Sequence, residues 1–260
     1  MPIQAPQGYC FDNGWEHAQR RLRFLERVYD AGSTRRLADL DVGPGWRCLE
    51  VGAGGGSITR WLCSRVQPTG RVLAVDLDTR FVAEIRAANL DVARLDVTAE
   101  DLPREAYDLV HARAVLAHLP QREDVLAKLV AALAPGGWLL LEEPDAFGTT
   151  ALAAGLHGEV LGHLHTALAR AGYDPTWART LPGRLAGAGL SDIGAESEVP
   201  LPRGGSAGAE LLRLTILQTR ERLIDAGASA EQLDHWDALV QRPTEWFPGI
   251  AVVAAWGRRP

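Results

Sequence analysis

Apolar positions recur along the chain with two different periods, and the change between them divides it. From Trp15 to about Asp30, the residues Ala18, Leu22, Leu25 and Tyr29 fall at helical spacing and predict an amphipathic helix. Gly32 is placed to close it, and Ser33 or Thr34 to cap a short second helix ending near Leu40. Beyond the turn at 43–45, strand and helix patterns alternate. WRCLEV (46–51), RVLAVD (71–76), VARL (92–95), YDLVHA (107–112) and GWLLLEE (137–143) read as strands, the last ended by Pro144. SITRWLCSRV (57–66), TRFVAEIRAA (79–88) and REDVLAKLVAAL (122–133) read as helices between them. Strands separated by helix-length segments imply an α/β fold with a doubly wound parallel sheet.

After Pro144 the rhythm changes. Helical patterns run over about 151–171, 177–188, 208–225 and 230–240, with strands expected at 190–199 and 249–257 and a flexible link at 201–208. The expected organisation is a single domain over 1–260. An N-terminal helical arm covers 1–45, a nucleotide-binding core 46–144, and helical lid segments 145–189 and 207–245.

Composition narrows the partners. The 260 residues carry a net charge of −6, which disfavours a nucleic-acid or anionic-membrane surface. No apolar run approaches the ~20 residues of a membrane span, and the first residues lack a secretory pattern. Three cysteines suit a reducing cytoplasm, without a disulfide frame or a zinc cluster. Lys128 is the only lysine, so arginine carries nearly all the basic charge, and a single arginine says little about function.

The chemistry begins at CLEVGAGGGSI (48–58). A glycine turn after a first strand brings backbone N–H groups and a helix N-terminus to a ligand at the carboxyl end of the sheet. A dinucleotide fingerprint, G-x-G-x-x-G/A, aligned on Gly52 and Gly54, meets Ser57 at its third glycine and breaks there. The turn instead reads Glu50-x-Gly52-x-Gly54-x-Gly56. Asp76 ends the second strand about 20 residues on, where an acid can accept both hydroxyls of a ribose. Asp78 competes for that place but suits a cap on the next helix.

This E-x-G-x-G-x-G turn resembles motif I of the Rossmann-like, class I S-adenosylmethionine-dependent methyltransferases. Companion segments fit in order: Asp76, then Asp96 in RLDVTAEDLP, then YDLVHARAVLAHLP, then LVAALAPGGWLLLEE. The chain as a whole is similar to small bacterial, actinobacterial-like members that open on Phe-Asp-Asn-x-Trp, here Phe11 to Trp15. The resemblance implies a seven-stranded, mostly parallel sheet ending in an antiparallel hairpin. It also implies S-adenosylmethionine as cofactor and S-adenosylhomocysteine as product. By that resemblance Gly52, Ala53, Gly54 and Gly56 line the cofactor, with Glu50 near its amino-acid end. Leu77 lies on the adenine face. Asp96 accepts the adenine amino group, and Val97 supplies a backbone N–H. The backbone of His111 faces the methionine portion, and Tyr9, Phe11 and Trp15 of the arm either anchor the core or fold over the cofactor.

On the acceptor side, His118, Glu143 and His157, with Asp145 behind them, are the candidate bases. His157, His163 and His165 fan around one helix, so no metal site is expected. Phe147, Trp177, Trp236, Trp246 and Phe247 suggest an aromatic-lined lid over a small apolar or aromatic metabolite. HARAVL follows the fourth strand, where methyltransferases of nucleobase amines carry an Asn/Asp-Pro-Pro-aromatic motif, so nucleic acid is not the expected substrate. A monomer and a homodimer both remain open. Two rivals share the glycine turn: an NAD-dependent oxidoreductase, opposed by Ser57 and the absence of a Tyr-x-x-x-Lys pair, and a non-methylating protein on this fold, such as a cyclase.

Overall fold

The structure, a computed structural model, describes residues 10–260. Its elements in chain order begin with α1 (Ala18–Asp39), β1 (Arg47–Val51), α2 (Ser57–Arg65), β2 (Arg71–Asp76), β3 (Leu90–Arg94) and β4 (Tyr107–Arg113). There follow α3 (Arg122–Ala132), β5 (Leu133–Asp145), α4 (Phe147–Leu152), α5 (Gly155–Arg170), α6 (Leu181–Gly187) and β6 (Ser191–Glu198). The chain ends with α7 (Ala207–Gln218), α8 (Arg220–Asp225), α9 (Ala230–Val240) and β7 (Ala251–Arg258).

The seven strands form one sheet in the order β3-β2-β1-β4-β5-β7-β6. The first five are parallel, and β7 runs antiparallel to both β5 and β6. The strand order reverses between β1 and β4, which opens a crevice at their carboxyl ends.

Strand parity divides the core. Leu49, Val51, Val110, Ala112, Leu139 and Leu141 face α3 and α6. Cys48, Leu109, Leu140 and Ala254 face α1 and α2, where Leu37, Ile58 and Leu62 complete the layer. Because helices cover both faces, the inner strands are apolar on both sides rather than alternating. A third cluster joins α5, α7, α8 and α9, with Leu161, Leu164, Ile216 and Trp236 among its members, and roofs the carboxyl end of the sheet.

Several expectations need correction. Gly32 does not end a helix; α1 runs unbroken to Asp39. A Cβ at position 32 would stand 2.9 Å from Arg36 Nη1 and 3.2 Å from Glu198 Oε1, so glycine here makes room for an ion pair. The helix expected over 79–88 is only a single 3₁₀ turn, Val82–Glu84. The chain is extended again at Ile85, whose Cδ1 would stand 2.5 Å from a Cβ on Gly56. Pro144 does not stop β5. Pairing with β4 ends at Glu142, so the missing N–H of Pro144 breaks no ladder bond while β7 pairs on as far as Asp145. The helix expected over 151–171 is α4 and α5, split at extended Ala153, and that over 208–225 is α7 and α8, divided at Thr219.

The link at 201–208 is pinned. Gly204 donates its N–H to Glu245 O at 2.9 Å, and Arg203 bridges Trp246. A Cβ on Gly204 would lie 1.9 Å from the carbonyl oxygen of Arg242. Gly204→Ala is expected to destabilise the protein by about 1–3 kcal/mol, as overpacking against unyielding backbone does. Thermal melting checks this; an unchanged midpoint would mean the link does move aside.

Candidate functional site

A cavity of about 720 Å³ lies at the carboxyl ends of β1, β2, β3 and β4. It has two lobes. One is built on the turn from β1 into α2, where Gly52, Ala53, Gly54 and Gly55 line the wall. Gly52 and Gly54 hold φ of +70° and +53°, which a side chain resists, and a Cβ on Gly52 would stand 2.3 Å from Val115 Cγ2. Asp76, Leu77, Asp96 and Val97 line the same lobe from the ends of β2 and β3.

Asp76 holds this lobe in shape. Its Oδ2 accepts the Gly54 N–H at 2.8 Å and its Oδ1 the Asp78 N–H at 3.0 Å. Burial raises its pKa, against the pull of those two donors. Asp78 also lines the cavity, but its carboxylate is engaged, accepting the Arg80 N–H at 3.1 Å and pairing with its Nε at 2.8 Å. Asp96 Oδ1 accepts from both the N–H and the hydroxyl of Thr98, at 2.9 and 2.6 Å.

Glu50 touches the cavity, but its carboxylate is engaged from beneath. Glu50 and His111 are registered partners on β1 and β4 and therefore share a face of the sheet. Glu50 Oε2 lies 2.8 Å from His111 Nδ1, and His111 Nε2 lies 3.1 Å from Glu142 Oε2. Glu142 also takes Arg36 Nη1 at 2.6 Å and the Ser33 hydroxyl at 2.5 Å. Burial alone would drive the imidazole to its neutral form, but the two carboxylates reverse this and hold its pKa at about 9. Burial likewise opposes ionisation of Glu142, yet His111, Arg113 and Ser33 bring its pKa down to about 2. His111 is thus a buried imidazolium strapped between two carboxylates. It does not form the cavity wall, as the sequence suggested; Arg113, Ala114 and Val115, just beyond it, do.

The second lobe lies under the helical roof. Leu161, Leu164, His165 and Leu168 of α5 line it, with Leu211 and Thr215 of α7, and with Tyr173, Ile250 and Val252. Phe11, Asp12 and Asn13 of the arm line the cavity as well. His118 faces the cavity between the rings of Phe11 and Tyr173, with centroids at 5.7 and 5.0 Å. Burial, reinforced by the charges of Arg21 and Arg122, lowers its pKa to about 4.

The structure separates several residues from the site. The Glu143 carboxylate does not reach the cavity. It accepts the N–H groups of Val115, Leu116 and Ala117 at 3.2, 2.9 and 3.1 Å and so ties the loop after β4 to β5. Burial raises its pKa to about 7 against those three donors. His157 is held between Pro248 O, 2.9 Å from its Nε2, and the Trp236 indole N–H, 3.0 Å from its Nδ1. Asp145 pairs with Arg179 Nη2 at 2.5 Å. Gly56 caps α2 and packs on Ile85 instead of lining the cavity. Trp15 packs edge-on to His17 and does not line the cavity, whereas Phe11 of the same arm does. Tyr9 lies outside the described residues.

The five aromatic residues expected to line the lid do not line the cavity, whose roof is rich in leucine with Tyr173 and His165 among them. Trp177, Trp236 and Phe247 are buried between helices, and Trp246 is 67% exposed. His163 contacts Ala226 O at 3.2 Å and His165 Thr149 Oγ1 at 3.4 Å, so the histidines of α5 address different partners. Among the described residues no group of three His, Cys, Asp or Glu is placed to hold a metal ion. His165, Tyr29, Tyr173 and Glu26 line the cavity without having been singled out. Only the packing of α1 and α5 over the turn reveals them.

A family model described as a methyltransferase domain matches residues 49–139. Methyltransferase str2 of Strobilurus tenacellus is 31% identical over 219 residues, covering 81% of this chain and 77% of that protein. Trans-aconitate 2-methyltransferase of Variovorax paradoxus is 34% identical over 128 residues, 46% of this chain and 49% of that protein. The solved structure of the YcgJ protein of Bacillus subtilis superposes with a TM-score of 0.59 at 16% identity, covering 87% of this chain and 97% of that one. Its likeness concerns the fold, which is the seven-stranded arrangement described above. Glycine turn, strand order and relatives agree, and the chain belongs to the class I S-adenosylmethionine-dependent methyltransferases.

Proposed function

We propose that this methyltransferase acts on a small, predominantly apolar metabolite held in the second lobe. The observation that carries this reading is the two-lobed cavity, polar at the glycine turn and lined by leucines under α5 and α7. The net charge of −6 fits a small molecule better than a nucleic acid, and one relative is named for a small acceptor, trans-aconitate.

The residues present fit the cofactor. Asp76 is placed for ribose hydroxyls, and Asp96 with Val97 for the adenine edge. Glu26 adds a buried carboxylate oxygen with no partner beside the turn. When bound, S-adenosylmethionine supplies a methyl group already made electrophilic by its sulfonium. The chain's task is then to orient the acceptor and exclude water. Phe11, Asp12 and Asn13 add to the cavity wall, and the leucines of α5 keep the acceptor lobe dry.

His118 is the side chain we place against the acceptor. At neutral pH its imidazole is uncharged and can accept a hydrogen bond from an acceptor's proton, while its low pKa of about 4 makes it a weak base. His118→Gln should lower kcat by about 10–100-fold with little change in cofactor affinity. In the wild type no histidine limb should appear in kcat between pH 5 and 8, because His118 gains its proton only toward pH 4. A limb near pH 6.5 that vanishes in the variant would overturn this placement.

Calorimetry with S-adenosylmethionine and NAD, followed by labelled-methyl transfer into a small-molecule extract, tests the function. Labelled apolar products support it. Tight cofactor binding with no transfer to any small molecule would refute it.

A further inference from the structure

Carboxylates crowd the cavity wall, and almost all of them are engaged by donors. Asp76 and Asp96 hold backbone N–H groups, Glu50 holds His111, and Glu142 holds Arg36, Ser33 and His111. Glu26 differs. It stands on α1 at the cavity wall, and its Oε1 is fully buried without a hydrogen-bond partner. Among the described residues it is the one carboxylate with such an oxygen.

That oxygen lies against the turn. A Cβ on Gly55 would stand 2.3 Å from Glu26 Oε1, so glycine at 55 is what lets the carboxylate approach. Its surroundings are Asp30, Arg60 and Arg113, with the Ser57 backbone N–H also directed at the carboxylate, which still leaves Oε1 without a hydrogen-bond partner. Both arginines have other partners: Arg113 bonds Ser33 Oγ and Asp30 Oδ1, each at 2.9 Å, and Arg60 Nη2 bonds Gly55 O at 3.1 Å. A buried carboxylate oxygen left without a donor is expensive, and a cation arriving from the cavity would relieve it.

The position says which cation. Asp76 and Asp96 put the nucleoside end of the cofactor toward β2 and β3. The opposite end of the turn faces α1 and the residues after β4, where the cofactor's amino-acid portion must lie. We infer that Glu26 receives the α-ammonium of S-adenosylmethionine and of S-adenosylhomocysteine, making α1 a reader of the cofactor's amino-acid end. This rests on the methyltransferase reading.

Calorimetry on the full chain tests it with three nucleosides. They are S-adenosylhomocysteine, its deaminated analogue with hydrogen in place of the amine, and methylthioadenosine, which lacks the amino-acid portion. Wild type should bind S-adenosylhomocysteine at least tenfold tighter than the deaminated analogue, the scale of one charge-assisted hydrogen bond. In Glu26→Gln that preference should fall close to one, while methylthioadenosine affinity stays within about twofold of wild type. Glu26→Leu, read the same way, covers a Gln variant that folds poorly. Three results would overturn the inference: no preference for the amine in wild type, a preference that survives in both variants, or equal weakening toward all three nucleosides in variants that melt like wild type. Wild type that binds none of the three refutes the function itself, and the role of Glu26 with it.

Discussion

Replacing His111 with leucine is expected to destabilise the protein by about 3–5 kcal/mol, the scale of breaking a buried ion pair from one side. His111 is fully buried, and its two partners, Glu50 and Glu142, are 3% and 1% exposed. Without the imidazolium, Glu142 keeps Arg36, but Glu50 loses the partner 2.8 Å away. A second substitution, Glu50→Gln, should return part of the loss, because removing both partners strands no charge. The pH dependence carries the same signature. The folded pKa of His111 is about 9, above its ordinary 6.5, so its contribution is full below pH 6.5 and lost as pH rises toward 9. Glu142, lowered to about 2, contributes above its ordinary 4.5 and loses that contribution as pH falls toward 2. Glu143, raised to about 7, loses its own contribution between pH 4.5 and 7. The interval from pH 7 to 8 therefore isolates His111, because Cys10, Cys48 and Cys63, whose thiols burial pushes up, add their own pH dependence only toward the ordinary thiol value of 9. Denaturant melts across it should show wild-type stability falling and the His111→Leu variant flat. A variant with the wild-type slope would place the titrating group elsewhere.

The parts of this site that the sequence made legible are those fixed by local chemistry. The glycine turn and Asp76 at the end of β2 follow from period and turn residues, whereas the antiparallel pairing of β6 with β7 is implied by the family resemblance. What escaped depends on parity and on contacts between distant elements. Glu142 and Glu143 are neighbours in sequence, but successive strand residues face opposite sides. Glu142 therefore joins Arg36 under the cavity, while Glu143 turns to the N–H groups of 115–117. His157 and His165 lie eight residues apart on α5; one reaches Pro248 and Trp236, the other the cavity. Trp177, Trp236 and Phe247 are buried in the packing of the roof, where large rings bury most area, and the cavity surface they leave is rich in leucine. Gly32 breaks helices by propensity, but α1 passes through it because Arg36 and Glu198 need the space.

Asp76→Ala is expected to weaken S-adenosylhomocysteine binding by about 100-fold or more. Hydrogen bonds to a charged acceptor contribute about 1.5–3 kcal/mol each, and a ribose offers two hydroxyls to one carboxylate. The same carboxylate holds the turn, accepting the Gly54 N–H at 2.8 Å and the Asp78 N–H at 3.0 Å, so its loss also loosens the surface on which the cofactor rests. Two controls separate these contributions. Asp78→Ala removes the neighbouring acid, which is already committed to Arg80, and should cost only a few-fold in affinity. Asp76→Asn keeps the side-chain size and one acceptor oxygen but cannot accept at both oxygens. It should fall between wild type and Asp76→Ala if the turn and the ribose both depend on the carboxylate. Should Asp76→Ala bind with wild-type affinity while Asp78→Ala does not, the ribose would belong to Asp78, and the Gly54 and Asp78 N–H groups would be all that Asp76 serves.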